Sequence, residues 1–310
     1  MTALLLDSIF KQHNPGPGHP ECPERYDAVT AALSPLESLP RVALRYATND
    51  ELALCHSRRY IATAEREIQD GLDELSTGDT QVCHQTLDVA LRAVGSVLNA
   101  IDSVMERESN NAFCAVRPPG HHATPTRGMG FCVFNNIAIA ARYAQRAHGA
   151  ERVMIADWDV HHGNGTQDIF YQDGSVFFFS THQHPWYPGT GAANERGEGK
   201  GEGSTLNLPL PAGSGRAEIL GGFQQQLLTA AQTFKPDLVL ISAGFDSRIG
   251  DPLGQFTLND QDYIDLTEVM MEIADTHAGG RLVSLLEGGY SLTGLAAGVS
   301  AHVRALAGIK

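Results

Sequence analysis

The chain reads as an α/β protein with a mainly parallel sheet covered by helices on both faces. Three observations predict this. Short apolar runs bounded by polar residues, such as Val153–Ala156, Leu238–Ser242 and Leu282–Leu286, read as strands buried on both faces. From Ala112 onward such runs alternate with segments of helical period, the pattern of strand–helix–strand crossovers. Polar clusters follow four of the strands, where open α/β sheets carry their ligand crevice.

In order, Ala3–Leu6 is the first strand, followed by a loop rich in Pro and Gly up to Arg25. Pro23 can open a helix whose apolar side is Tyr26, Val29 and Leu33. Asn49 is expected to cap a short helix through Leu54, and another helix covers Arg59–Gln69. Ser76–Thr80 is a loop. Leu87, Leu91, Val94, Val97, Leu98 and Ile101 recur at helical spacing and predict a long helix to Met105. Further strands are expected at Ala112–Val116, Val176–Ser180 and Thr205–Leu208. Further helices are expected at Asn136–Arg146, Ala217–Thr233, Leu258–Ala274 and Leu292–Leu306. No repeat, low-complexity tract or long linker divides residues 1–310, so they are read as one domain.

Hydrophobic residues (42%) are numerous enough for a sizeable core. The net charge of -14 argues against direct nucleic-acid binding and leaves room for cationic substrates. Five cysteines, Cys22, Cys55, Cys83, Cys114 and Cys132, lack CxxC spacing and fit reduced thiols. The start of the chain has no basic region before its apolar run, and no run reaches membrane-spanning length. The expectation is a cytoplasmic protein with no membrane partner.

The stretch from Asp157 to Gly165, Asp-Trp-Asp-Val-His-His-Gly-Asn-Gly, ends the central strand. In extended backbone Asp157, Asp159 and His161 share one face while Trp158 and Val160 take the other. Carboxylate and imidazole two positions apart can grip one metal, and both suit zinc. The glycines allow close backbone approach. Three other strands end in Arg117-Pro-Pro-Gly-His121-His122, Ala243-Gly-Phe-Asp246-Ser247 and Glu287-Gly-Gly-Tyr290. Converging, these supply three ligands (Asp159, His161, Asp246), two imidazoles and a phenol. Three protein ligands leave room for water, which points to hydrolysis. Histidine can serve as base and acid, and a tyrosine hydroxyl can meet a developing oxyanion. No Gly-x-Ser-x-Gly elbow appears, so covalent catalysis is disfavoured.

These motifs, with Gly130-Phe131-Cys132-Val-Phe-Asn135-Asn136, resemble the zinc-dependent histone deacetylase family, most closely its class II branch and the bacterial amidohydrolases. The resemblance runs from His19 to Tyr290 and implies a three-layer α/β/α arginase-like fold. It implies zinc on Asp159, His161 and Asp246, with ferrous iron as the other native metal left open. His122 would be base and acid, and His121 an electrostatic partner bonded to Asp157. Asn164 stands where class I relatives often have Asp, which alters the basicity of His122. Tyr290 would polarise the acyl carbonyl, with Gly289 bordering the pocket. Gly130, Phe131 and Tyr187 would wall the acyl-lysine tunnel, and Arg25 would lie near an acetate-exit cavity. Structural potassium is expected at Asp157, Asp159, His161, Ser180 and Thr181, with a second ion near Phe170, Asp173 and Val176. Leu253 matches the position of a gatekeeper Glu in the polyamine-specific branch, which favours an acylated lysine peptide or protein over an acylated small amine.

Other histidines have plainer readings. His162 packs beneath the metal, His13, His19 and His56 serve as hydrogen-bonders in loops, and His182, His184 and Trp186 shape the rim. Asp251–Gly254 is a supporting turn. Two alternatives stand beside the deacetylase: a two-manganese ureohydrolase, whose second bridging Asp is missing after Asp246, and a non-catalytic acyl-lysine binding module. Acetylpolyamines remain an alternative substrate, and either a monomer or a homo-oligomer fits.

Overall fold

A computed structural model describes residues 1–309. Its seven strands are β1 (Thr2–Leu5), β2 (Asn111–Cys114), β3 (Val153–Asp157), β4 (Val176–Gln183), β5 (Thr205–Leu210), β6 (Leu238–Ala243) and β7 (Leu282–Leu286). They form one sheet in the order β1-β2-β7-β6-β3-β4-β5, and every pairing is parallel. Parallel neighbours need long crossovers, which the helices supply. These are α1 (Pro23–Leu33), α2 (Asn49–Leu52), α3 (Arg58–Gln69), α4 (Thr86–Met105), α5 (Asn136–His148), α6 (Asn164–Phe170), α7 (Arg216–Gly222), α8 (Leu228–Phe234), α9 (Asp260–His277) and α10 (Leu292–Leu306). α4 and α5 pack together on one side; α1, α10, α9 and α8 form a second row. The expected three-layer α/β/α arrangement results.

The register positions the site. Asp157 lies between Ser180 of β4 and Ser242 of β6, while Ala243 faces Leu286 of β7. The loops leaving β3, β6 and β7 therefore start at one level. Val153 to Ala156 are fully buried, and burial of each large side chain contributes about 1.5–3 kcal/mol. Trp158, also fully buried, turns the other way and packs against Phe223, Tyr263 and His302.

Several expectations need correction at element ends. Thr48, not Asn49, caps α2: its hydroxyl accepts from Glu51 N–H while the Glu51 carboxylate takes the Thr48 N–H. The helix expected over Ala217–Thr233 is broken at Phe223–Leu227 by a π-helical segment. Asn259 caps α9, so that helix starts at Asp260 rather than Leu258. β4 runs three residues past Ser180, because β5 pairs with it as far as Gln183. α6 was not anticipated: its seven residues show no apolar period. All five cysteines are free. No described helix is long and apolar enough to cross a membrane.

His302 of α10 ties the layers together. Its Nδ1 meets Thr267 Oγ1 of α9 at 2.6 Å and its Nε2 meets Ser284 Oγ of β7 at 2.8 Å. Burial lowers its pKa to about 3. Below the ordinary value of 6.5 the unfolded chain takes up a proton that the folded chain refuses, so this group costs stability as pH falls from 6.5 towards 3. Urea unfolding between pH 6 and 4 is expected to show His302→Gln losing about 1.4 kcal/mol less per pH unit than the native chain. Equal slopes for the two proteins would contradict this.

Candidate active site

The residues that end β3, β6 and β7 meet in a buried cluster. Asp159, His161 and Asp246, all buried, each offer one ligand atom, and these atoms lie within 4.8 Å of one another. His161 Nδ1 stands 3.0 Å from Asp159 Oδ1 and 3.2 Å from Asp246 Oδ2. The outer carboxylate oxygens are held by backbone: Val160 N–H donates to Asp246 Oδ1 (2.9 Å) and Gly288 N–H to Asp159 Oδ2 (2.8 Å). A Cβ at Gly288 would lie 2.1 Å from Asp246 Oδ2, so only glycine passes between the carboxylates.

The electrostatics are those of a cation site. Burial, with Asp159 alongside, raises the Asp246 pKa to about 7. Burial alone would depress His161, yet the two carboxylates carry it up to about 10. Against its own burial, Asp159 is pulled below the ordinary value by His121 and His161. An imidazole proton here compensates two acids. The donor set, two carboxylates and one imidazole aimed at one point, fits a divalent transition metal of the zinc or ferrous type.

Two further histidines stand beside the ligands, their ring centroids 4.0 Å apart. His121 Nδ1 bonds Asp157 Oδ2 at 2.9 Å, and His122 Nδ1 bonds Asn164 Oδ1 at 2.8 Å. Burial would lower the pKa of His121, but Asp157 and Asp159 raise it to about 10. For His122, burial and the neighbouring His121 and His161 act together and hold it well below the ordinary value. An amide oxygen accepting from Nδ1–H leaves the Nε2 lone pair of neutral His122 available as a base.

His122, His161 and Tyr290 line a hollow of about 250 Å³ whose walls include Phe131, Tyr187, Leu253 and Gly130. Phe131 has a left-handed backbone (φ 67°), a strained state for a bulky residue that follows Gly130 at φ 57°. Gly289 stands behind the wall; its carbonyl accepts from Arg25 Nε at 2.7 Å. Arg25 also donates to Glu287 O (2.6 Å) and lies 5.0 Å from the Tyr290 ring centroid.

The residues expected to hold potassium divide into two groups. Ser180 is the β4 neighbour of Asp157, and its Oγ meets His182 Nδ1 at 3.0 Å. Beside it, the hydroxyl of Thr181 is buried without a hydrogen-bond partner. Phe170 ends α6 and its carbonyl accepts from Asp173 N–H, just before Val176 opens β4. His162 is buried and bonded to Thr190 and Gln167. His13, His19 and His56 are hydrogen-bonded in loops, to Thr86, Gln81 and Thr124 respectively. His184 and Trp186 are exposed, but His182 is fully buried and does not shape a rim. It lies inside an eight-residue strand, buried at every position, that the sequence reading ended at Ser180.

Four acidic residues that sequence reasoning gave no site role turn out to hold this architecture. Asp79 lines the hollow and accepts from Gly130 N–H (2.7 Å) and the Tyr187 hydroxyl (3.3 Å). Glu287 accepts from Gly120 and His121 N–H and from the Ser242 hydroxyl. Glu21 receives both Arg25 and Arg117. Asp251 accepts from the Tyr290 N–H. The only advance signal was a carboxylate within or next to a Gly/Pro-rich motif.

Residues 19–306 match the histone deacetylase domain. The chain belongs to the histone deacetylase family. It is 41% identical to histone deacetylase 14, chloroplastic, of Arabidopsis thaliana, over 94% of this chain and 73% of that protein. It is 39% identical to polyamine deacetylase HDAC10 of Homo sapiens, over 93% of this chain and 45% of that protein. A crystal structure of the HDA15 HD domain superposes with a TM-score of 0.93 at 37% identity, covering 99% of this chain and 89% of that one. Like its family, this protein is a deacetylase, an amide hydrolase.

The proton that His161 keeps up to about pH 10, joined below about pH 7 by one on Asp246, must leave when a metal binds. Calorimetry of zinc binding to chelator-stripped protein, in buffers of different ionisation enthalpy, is expected to show release of about one proton near pH 8. Affinity should fall as pH is lowered, and Asp246→Asn should weaken binding by about 100-fold or more. Proton-neutral binding, or an unaffected Asn variant, would refute this assignment.

Proposed function

We propose that this deacetylase acts on acylated lysine side chains with a single zinc ion held by Asp159, His161 and Asp246. Held there, zinc would supply polarisation of the acyl carbonyl and a lowered pKa for water. The observation that carries the reading is the joint presence of His122, His161 and Tyr290 around one narrow, largely apolar hollow. Phe131 and Tyr187, both in the wall of the hollow, would flank the four-carbon lysine stem, whose burial between rings is favourable. His122, neutral and with Nε2 free, takes the proton from the attacking water and returns it to the leaving amine. His121, charged beside Asp157, stabilises the negative charge that develops. The Tyr290 hydroxyl, kept protonated by burial, donates to the carbonyl oxygen.

Leu253 in the wall adds no charge and suits a neutral acyl-lysine stem. The exposed Asp79 carboxylate beside the hollow adds attraction for N–H groups or positive charge on the substrate. Acylated polyamines share that chemistry, so acetylputrescine is the comparison substrate. Structural potassium would sit among the main-chain oxygens around Asp157 and Ser180. Five free thiols support a reducing compartment such as the cytoplasm.

With acetyl-lysine peptide as substrate, Tyr290→Phe is expected to lower kcat by about 100–1,000-fold with little change in KM. Full activity in that variant, or turnover insensitive to chelators, would sink the mechanism. Asn164→Asp supplies a carboxylate that favours protonated His122, and the base must be deprotonated to act. The acid limb of the kcat/KM profile should therefore move up by about one pH unit or more; a limb that stays put would exclude His122 as the base.

A further inference from the structure

The loop that carries the phenol is gripped from both sides. Arg25, a cation, takes its carbonyls at Glu287 and Gly289. Asp251, an anion, takes its amides: Oδ2 accepts from Tyr290 N–H at 2.7 Å and Ser291 N–H at 3.0 Å. The other oxygen, Oδ1, accepts from Leu253 N–H at 2.9 Å. Asp251 is only 7% exposed, and no cation among the described residues forms a salt bridge with it, so these amides are what compensate its charge.

The clamp matters because the loop is weak by itself. It contains Gly288 and Gly289, the latter at φ 120°, and glycine resists displacement poorly. Ser291 then caps α10 through its hydroxyl, which accepts from Gly294 N–H. Asp251 thus fixes the two peptide groups on either side of the Tyr290 Cα, the second of which links the phenol-bearing residue to the rigid helix. Its second oxygen reaches another part of the wall: Leu253 lines the hollow, and its carbonyl accepts the Trp186 indole N–H at 2.8 Å.

We propose that Asp251 is a positioning residue for deacetylation, holding the Tyr290 hydroxyl in place through the Tyr290 and Ser291 amides and joining that loop to the Leu253–Trp186 wall. This rests on the reading of Tyr290 as the carbonyl's hydrogen-bond donor. A residue that acts through the phenol loses its effect once the phenol is gone; one that merely supports the fold does not.

The test is a double-mutant cycle on the zinc-loaded protein with acetyl-lysine peptide. Asp251→Ala is expected to lower kcat by about 10–100-fold in the native background and by less than about threefold in Tyr290→Phe. Equal losses in both backgrounds would overturn the proposal. Asp251→Asn can keep an oxygen towards Tyr290 and Ser291 while turning an NH₂ against Leu253 N–H. It is expected to retain most of kcat and to raise KM, and a kcat as low as that of the alanine variant counts against the proposal. Hydrogen exchange read by mass spectrometry adds a measurement independent of turnover. In Asp251→Asn, and in Asp251→Ala where it folds, amides of the 287–292 segment should exchange faster in the alanine variant alone, with the β-strands unchanged. Unaltered protection in the alanine variant, or its failure to fold combined with asparagine kcat at background, would refute the clamp. A Tyr290→Phe variant with native turnover would refute the role given to Tyr290 and, with it, the proposal that Asp251 acts through the phenol.

Discussion

Two carboxylates, Asp159 and Asp246, are buried against one imidazole nitrogen, and the surrounding structure serves to make that tolerable. Ions removed from water cost several kcal/mol each unless every lone pair finds a partner. Here Asp159 Oδ1 accepts from His161 N–H, Asp159 Oδ2 from Gly288 N–H and Asp246 Oδ1 from Val160 N–H. These donors come from loops after β3 and β7, and the acids from loops after β3 and β6. No single stretch of chain could assemble them. A parallel sheet can, because it brings all its carboxyl-terminal loops to one edge. The glycines at 244 and 288 follow from the same constraint, since a Cβ at either would press on a carboxylate oxygen.

Charge compensation continues outward. Beyond the ligands lie the Asp157–His121 pair and Glu287, and beyond those a cluster in which buried Glu21 binds Arg25, Arg117 and His13. Although burial opposes it, Arg117 and His13 hold the Glu21 carboxyl well below its ordinary value. Removing one member of such a cluster leaves the others buried without compensation, so the cluster resists piecemeal change. Through Arg25 it reaches the carbonyls at Glu287 and Gly289, and through Arg117 the segment that leads into His121 and His122. The reactive side chains therefore rest on fixed charges rather than on loop stiffness.

What could be read from the amino acids alone follows from range. β3, β6 and β7 were legible because a short apolar run is a local signal, and the convergence of Asp159, His161, Asp246 and Tyr290 followed from parallel-sheet geometry. The capping hydroxyl of Thr48 lay one residue from the expected Asn49, within the usual uncertainty of helix ends. Asp79 was not legible, since its meaning lies in Gly130 and Tyr187, 51 and 108 residues away. Asp251 was seen only as part of a turn, because its partners at 290 and 291 belong to another loop. The π-helical break at Phe223–Leu227 leaves the apolar period nearly intact, so the pattern looks like one helix.

The division of labour between the two adjacent histidines is decided by a difference of one functional group. Two imidazoles 4.0 Å apart in a buried site cannot both carry charge, since each would raise the energy of the other. One must be cationic and the other neutral, and their partners settle which. Asp157 offers a carboxylate to His121, and a charged acceptor favours the protonated ring; Asn164 offers an amide oxygen to His122, which orients the ring without favouring its charge. Both partners come from one nine-residue stretch that leaves β3 and turns at Gly163 into α6. A Cβ at Gly163 would lie 2.3 Å from Asp157 Oδ2, so the turn that delivers Asn164 to one histidine must pass the carboxylate serving the other. The separation of charged from neutral imidazole is thus a geometric consequence of how closely this single turn can fold back on its own strand.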